Sequence, residues 1–232
     1  MTKCIAIDTS TTKFSLASYK EGIFKEYNVL DSKNHAKDIY KNINDIMNQS
    51  EMEISELDFI AIGNGPGRFS GLRVSASAIQ AISYVKKIPI VSISSLMVIA
   101  QVAIDQCSLD KIAVAMNARK GKIYFGCYGK WDDNLAHELI KDCLIDNDSL
   151  HFPEGLFYGV GNGFSQETNH HQNNSIELIE RPETVLPDAK AMIKLAIKKY
   201  ELGIITDSFN IIPNYLMEEV TNWISLWRDS IT

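Results

Sequence analysis

The apolar positions change their period several times along the chain, and each change marks an element. Residues 3–7 (KCIAI) are an apolar run that predicts a strand. Phe14, Leu16 and Ser18 then alternate with Ser15, Ala17 and Tyr19, a period of two that predicts a second strand. Glu21-Gly22 predicts a tight hairpin into a third strand over residues 23–29. Beyond it the period lengthens. Ala36, Ile39, Ile43, Ile46 and Met47 recur at helical spacing over residues 35–48, with Asn34 as a cap. A strand over residues 57–63, a glycine turn and an Ala- and Ser-rich helical pattern follow. Pro89 opens a strand over residues 90–93, and Ser94-Ser95 cap an apolar helix running to about Gln106. Residues 3–106 thus read β-β-β-α-β-α-β-α, a mixed sheet with crossover helices.

A second set of strands begins at residues 111–116. It turns at Ala118-Arg119-Lys120-Gly121 into residues 122–128 and continues through residues 138–145 and 156–160. Residues 165–175 (SQETNHHQNNS) are polar and predict a surface loop. Pro187 predicts a helix start, at N1 or nearby, for a helix reaching about Tyr200. The tail over residues 215–227 is again helical in pattern, with Trp223 and Trp227 as a packed stripe. No low-complexity linker divides the chain, so two packed lobes are expected: residues 1–107, with a helix at about 211–230 packing back on them, and residues 108–210.

Residues 63–67 (GNGPG) follow an apolar strand and open a small-residue helix. Glycine permits backbone conformations that other residues avoid, and a helix start aims free N–H groups at an anion. A strand-to-helix turn without any ligand uses the same residues. No Gly-Lys-Ser/Thr follows, and the glycine spacing of a dinucleotide site is absent.

Composition narrows the classes. No apolar run approaches the roughly 20 residues of a membrane helix. The start, MTKCIAID, enters a strand pattern directly, so neither signal peptide nor membrane attachment is expected, and the location expected is cytoplasmic. The four cysteines form no CxxC pair, which favours reduced thiols over a disulfide frame or a zinc knuckle. The net charge of −6 suits tRNA or any other nucleic acid poorly as a direct ligand of this chain alone. Arg119, Lys120 and Lys122 form a small basic hairpin tip.

GNGPGRFSGLR (63–73) resembles the GxGPGSFTGLR signature of the bacterial tRNA threonylcarbamoyladenosine biosynthesis family TsaB, also called YeaZ. IAIDTST (5–11), MNARKGKIY (116–124), LPDAKAMIKLA (186–196) and PNYL (213–216) resemble further family motifs in the same order, over nearly the full length. The departures are Arg68, Ser70, Asn117, Lys122 and Met217. The resemblance implies an α/β, two-lobed fold of the actin, sugar kinase and Hsp70 (ASKHA) kind. It implies a non-catalytic dimerisation subunit that pairs with a TsaD-like catalytic paralogue and a TsaE-like ATPase. That assembly places a threonylcarbamoyl group on the adenosine next to the tRNA anticodon. The chain would meet tRNA only through the complex and would form a homodimer when alone.

The catalytic paralogue carries an HxxxH metal pair on a helix whose matching segment here is SISSLMVIAQ (92–101). Here Ser95 and Ile99 stand at those positions, and neither is a suitable ligand. His35, His137, His151, His170 and His171 show no second ligand at metal spacing, so no metal and no cofactor are expected. In this fold the loop after the first strand reads Asp-x-Gly-Thr/Ser and cups phosphate. Asp8-Thr9-Ser10-Thr11 keeps the acid and the hydroxyls but lacks the glycine. Asp8, Thr9, Gly65 and Gly67 are therefore candidates for degenerate phosphate loops, with Asp8 and Thr9 capping a tight turn as the alternative.

The glycine-turn helix is apolar on two faces, one with Leu72, Ala76, Ile79 and Ser83, the other with Val74, Ala78, Ala81 and Val85. The second face needs a neighbouring helix or another chain. With the resemblance, Ile39, Tyr40, Ile43, Val74, Ala78, Ala81 and Val85 become the candidate partner interface. An active ATP-dependent phosphotransferase of this fold and an M22-type metallopeptidase are the alternative functions. The lost glycine weighs against the first, and Ser95 and Ile99 against the second.

Overall fold

A computed structural model describes residues 2–30, 35–119, 121–146, 155–164, 176–179 and 182–216, with the backbone alone at residues 35–37 and 182. The strands β1 (Lys3–Asp8), β2 (Phe14–Lys20) and β3 (Ile23–Val29) form the expected meander, and α1 (His35–Gln49) follows. Then come β4 (Phe59–Gly63), α2 (Phe69–Lys86), β5 (Ile90–Ile93) and α3 (Ser95–Cys107). The rest comprises β6 (Lys111–Asn117), β7 (Lys122–Lys130), β8 (Ala136–Asp146), β9 (Phe157–Val160), β10 (Ile176–Leu178) and α4 (Ala189–Glu201).

Local chemistry sets the boundaries. Glu21 and Gly22 both have positive φ, 53° and 89°, the twist that a two-residue hairpin requires, and they fix the register Lys20↔Ile23. Ser94 caps α3 by accepting from Leu96 N and Met97 N. Asp188, rather than Pro187, caps α4; the proline stands one residue earlier and only sets the chain's entry. Residues 211–216 are not helical, and residues 217–232, where the rest of the expected tail helix falls, lie outside the described residues. The expected loop at residues 165–175 lies outside them too.

Two five-stranded sheets result among the described residues, in the orders β3-β2-β1-β4-β5 and β10-β9-β6-β7-β8. Each begins with an antiparallel meander and adds two parallel strands on the far side of its first strand. One topology is thus used twice. β1 and β4 lie inside the first sheet and are apolar almost throughout, as strands covered on both faces must be. α1 and α2 cover one face of that sheet, over a core of Ile5, Ile7, Ile39, Ile43, Ile60, Ile62 and Ile79. α3 and α4 pack against each other between the two sheets, α4 on the first and α3 on the second.

Ser94 joins this middle layer to the second sheet. Its hydroxyl donates to Asp142 Oδ2, and the Tyr128 hydroxyl donates to Asp142 Oδ1. Burial pushes the Asp142 carboxyl up to about 6 from 3.8, against the pull of both donors. A carboxyl raised on folding adds stability that is fully present below its ordinary pKa and is lost as pH rises through the folded one.

Wild-type stability from this group is therefore highest below pH 3.8 and falls as pH rises through about 6. Asp142→Asn does not titrate. Its stability relative to wild type should rise by about 2 kcal/mol between about pH 4 and about pH 7.5. Denaturant midpoints across that range check this, and parallel curves for the two proteins would contradict it.

Candidate functional site

Parallel pairing delivers the first candidate residues to one spot. β1 and β4 are in register at Ile7↔Ile62, so Asp8 stands beside Gly63; β4 and β5 pair at Gly63↔Ile93, two residues before Ser95. Asp8 Oδ1 accepts from Ser10 N (2.8 Å) and Ser10 Oγ (2.6 Å), and Oδ2 accepts from Ser95 Oγ (2.9 Å). Burial raises the Asp8 pKa, and the Ser10 and Ser95 donors oppose that rise. Thr9 Oγ1 donates to the Gly71 carbonyl at 2.7 Å and lies 2.9 Å from Ser75 Oγ. Asp8, Thr9, Ser10 and Ser95 are all buried.

The glycines permit this contact. A Cβ at Gly63 would come within 1.9 Å of Asp8 Oδ2, at Gly67 within 2.4 Å of Ser10 O, and at Gly71 within 2.0 Å of Thr9 O. Arg68 N donates to Ser10 O at 2.7 Å, and Ser95 N to Gly65 O at 2.8 Å. Gly65, at φ 97°, has Leu72 and the Asn214 carbonyl against it. The two glycine-bearing loops therefore pack on each other; the Asp8 side chain forms a local turn with Ser10, while Thr9 reaches Gly71 and Ser75 and caps no turn. Ile99 lies in the core between the sheets.

The candidate interface residues separate into three groups by burial. Ile39, Ile43 and Ala78 lie in the chain's own core, because these positions on α1 and α2 turn toward the sheet and each other. Val74 is half-buried. Tyr40, Ala81 and Val85 are exposed, Val85 to 72%. Sequence reasoning missed the neighbours of this face. Gln80 Nε2 donates to Ser208 O at 2.7 Å, and Tyr84 meets Phe209 edge-on with ring centroids 5.5 Å apart. Phe209 and Ile212 are more than 70% exposed. No local signal connects residues 207–216 with α2. α2 itself carries no acidic residue.

The hairpin after β6 is held by Asn117, which bonds Asn162 through its backbone N–H and its side-chain amide. Lys122 pairs with Asp146 at 2.9 Å, and Lys120 lies outside the described residues. His137 stacks on Trp131 with centroids 3.9 Å apart and contacts Asp133; the other four histidine side chains lie outside the described set. Among the described residues no helix is long and apolar enough to cross a membrane.

Residues 19–194 match the family model described as TsaD: tRNA N6-adenosine threonylcarbamoyltransferase. The chain is similar to the tRNA threonylcarbamoyladenosine biosynthesis protein TsaB of Buchnera aphidicola subsp. Schizaphis graminum, with 30% identity over 82% of this chain and 90% of that protein. It is 27% identical to the protein of the same name from Haemophilus influenzae, over 94% of both chains. Among solved structures, YeaZ from Pseudomonas aeruginosa superposes with a TM-score of 0.86 at 25% identity, covering 93% of this chain and 100% of that one. The fold is the α/β ASKHA arrangement expected from the sequence.

Gly71→Ala tests the interlock of the two loops. The added Cβ meets the Thr9 carbonyl, so the variant should lose about 2–3 kcal/mol of stability by denaturant titration. A wild-type midpoint would show that the loops part without cost.

Proposed function

The chain belongs to the TsaD family and, within it, to the TsaB proteins, and from that premise we propose a non-catalytic, partner-binding subunit of the machinery that makes threonylcarbamoyladenosine in tRNA. The observation that carries this reading is the Ser95–Asp8 bond. At the position where the resemblance puts a histidine ligand in the catalytic paralogue, Ser95 donates its hydroxyl into a buried carboxylate. Two loops that bind phosphate elsewhere in the fold are packed on one another, and Gly63, Gly67 and Gly71 serve that packing. Among the described residues, Ala81, Tyr84 and Val85 on the outer side of α2 are exposed, with Phe209 edge-on to Tyr84. Contiguous exposed apolar surface marks interaction sites.

In this reading the TsaD-like paralogue docks on the outer face of α1 and α2, a TsaE-like ATPase completes the assembly, and tRNA is met only through the complex. Two copies of the chain use the same face when the paralogue is absent. The lobes divide near residue 107.

Val85→Glu and Ala78→Glu separate interface from core. Val85 is exposed, so its variant should keep the wild-type melting temperature and lose co-purification with the paralogue. Ala78 is buried, so a charge there should lower stability by several kcal/mol, roughly 3 or more, whatever the partner does. A Val85→Glu protein that still binds the paralogue would move the seam elsewhere. Threonylcarbamoyl transfer by the purified chain alone would remove the non-catalytic assignment.

A further inference from the structure

The N-terminal end of α2 carries a cluster that the fold does not need for its core. Phe69 begins the helix, and Arg73 follows one turn later on the same face. The Arg73 guanidinium lies over the Phe69 ring, 3.8 Å from its centroid. Arg73 Nε donates to Tyr215 Oη at 3.1 Å, and the Phe69 and Tyr215 rings are 5.3 Å apart. All three side chains are exposed, Phe69 to 47% and Tyr215 to 40%. Two segments 142 residues apart thus hold one guanidinium, with a face against an aromatic ring and Nε engaged. Its four Nη N–H groups are then the donors it can offer. Among the described residues no ion pair links Arg73, or the exposed Arg68 beside it, to a carboxylate.

A long side chain ordinarily loses conformational freedom when it makes a contact; here the stack and the Tyr215 bond have restricted it already. A planar fork fits a carboxylate through two parallel bonds, and clusters of Arg with aromatic residues are typical anchors of protein interfaces. A nucleic-acid backbone would require a run of cations, whereas this chain carries a net charge of −6 and this end of α2 has two arginines. Phe69, Arg73, Gln80 and Tyr84 fall on one side of the helix at 3.6 residues per turn, so the cluster continues along α2 to Tyr84.

We propose that Arg73, held by Phe69 and Tyr215, is an anchor that receives an Asp or Glu carboxylate from the protein partner docked on α2. This rests on the partner-binding reading above and adds to it the charge that the partner must present at this end.

The test uses the full chain and the purified TsaD-family paralogue from the same genome, with affinity measured at low and high salt. Arg73→Ala should weaken binding about tenfold and flatten its salt dependence, and Arg73→Lys should not restore it, because an ammonium lacks the fork. Tyr215→Phe should weaken binding about threefold. Melting temperatures should match wild type in all three. If Arg73→Ala binds like wild type while Val85→Glu does not bind, the anchor is overturned and the partner-binding reading stands. If the wild-type chain does not bind the paralogue, both are overturned. If Arg73→Ala keeps its protein affinity but costs the assembled complex its tRNA affinity, the cluster reads RNA and the carboxylate assignment is overturned.

Discussion

The buried carboxyl group of Asp8 sets the terms for much of this structure. Asp8 is buried at the end of a central strand, where a polar group costs free energy unless it is hydrogen-bonded. The donors are the backbone and hydroxyl of Ser10 and the hydroxyl of Ser95. To supply them, the chain after β1 must fold back on itself, and α3 must begin directly beside it. α2 then has to cross the same loop at backbone contact, which glycine at 67 and 71 allows. One buried carboxyl group therefore ties together three loops and the path of α2. That path decides which side of α2 meets the sheet and which side is left for a partner.

Adjacent serines divide the work at the start of α3. Ser95 turns to Asp8 in the first sheet, while Ser94 turns to Asp142 and Tyr128 in the second. A helix N-terminus between two sheets is thereby bonded to a buried carboxylate in each. Separating the sheets here would strip both acids of donors that compensate their burial.

Much of the element order was legible in the sequence. Periods of two and of 3.6, the Glu21-Gly22 turn and the Ser94 cap act over a few residues, so local sequence predicts them. The glycine motif was legible as a close-approach loop, but not what approached it. Phosphate and protein backbone make the same demand for a missing Cβ, and in the folded chain Ser10 and Thr9 lie against Gly67 and Gly71. The two faces of α2 were also legible. Their assignment was not, and Ala78 proved to be core while Val85 is open to solvent.

By itself, then, the sequence determined most of the strands and helices, and its ordered motifs carry the resemblance that implies the ASKHA class. Those follow from residue identity and from neighbours close along the chain. Tertiary structure alone decided that both sheets use one strand order and that Ile39 and Ile43 face inward. It also decided that Phe209 and Tyr215 return to lie along α2. The reason is physical: a helix records its apolar stripes in its own sequence, but what covers each stripe depends on where distant chain comes back.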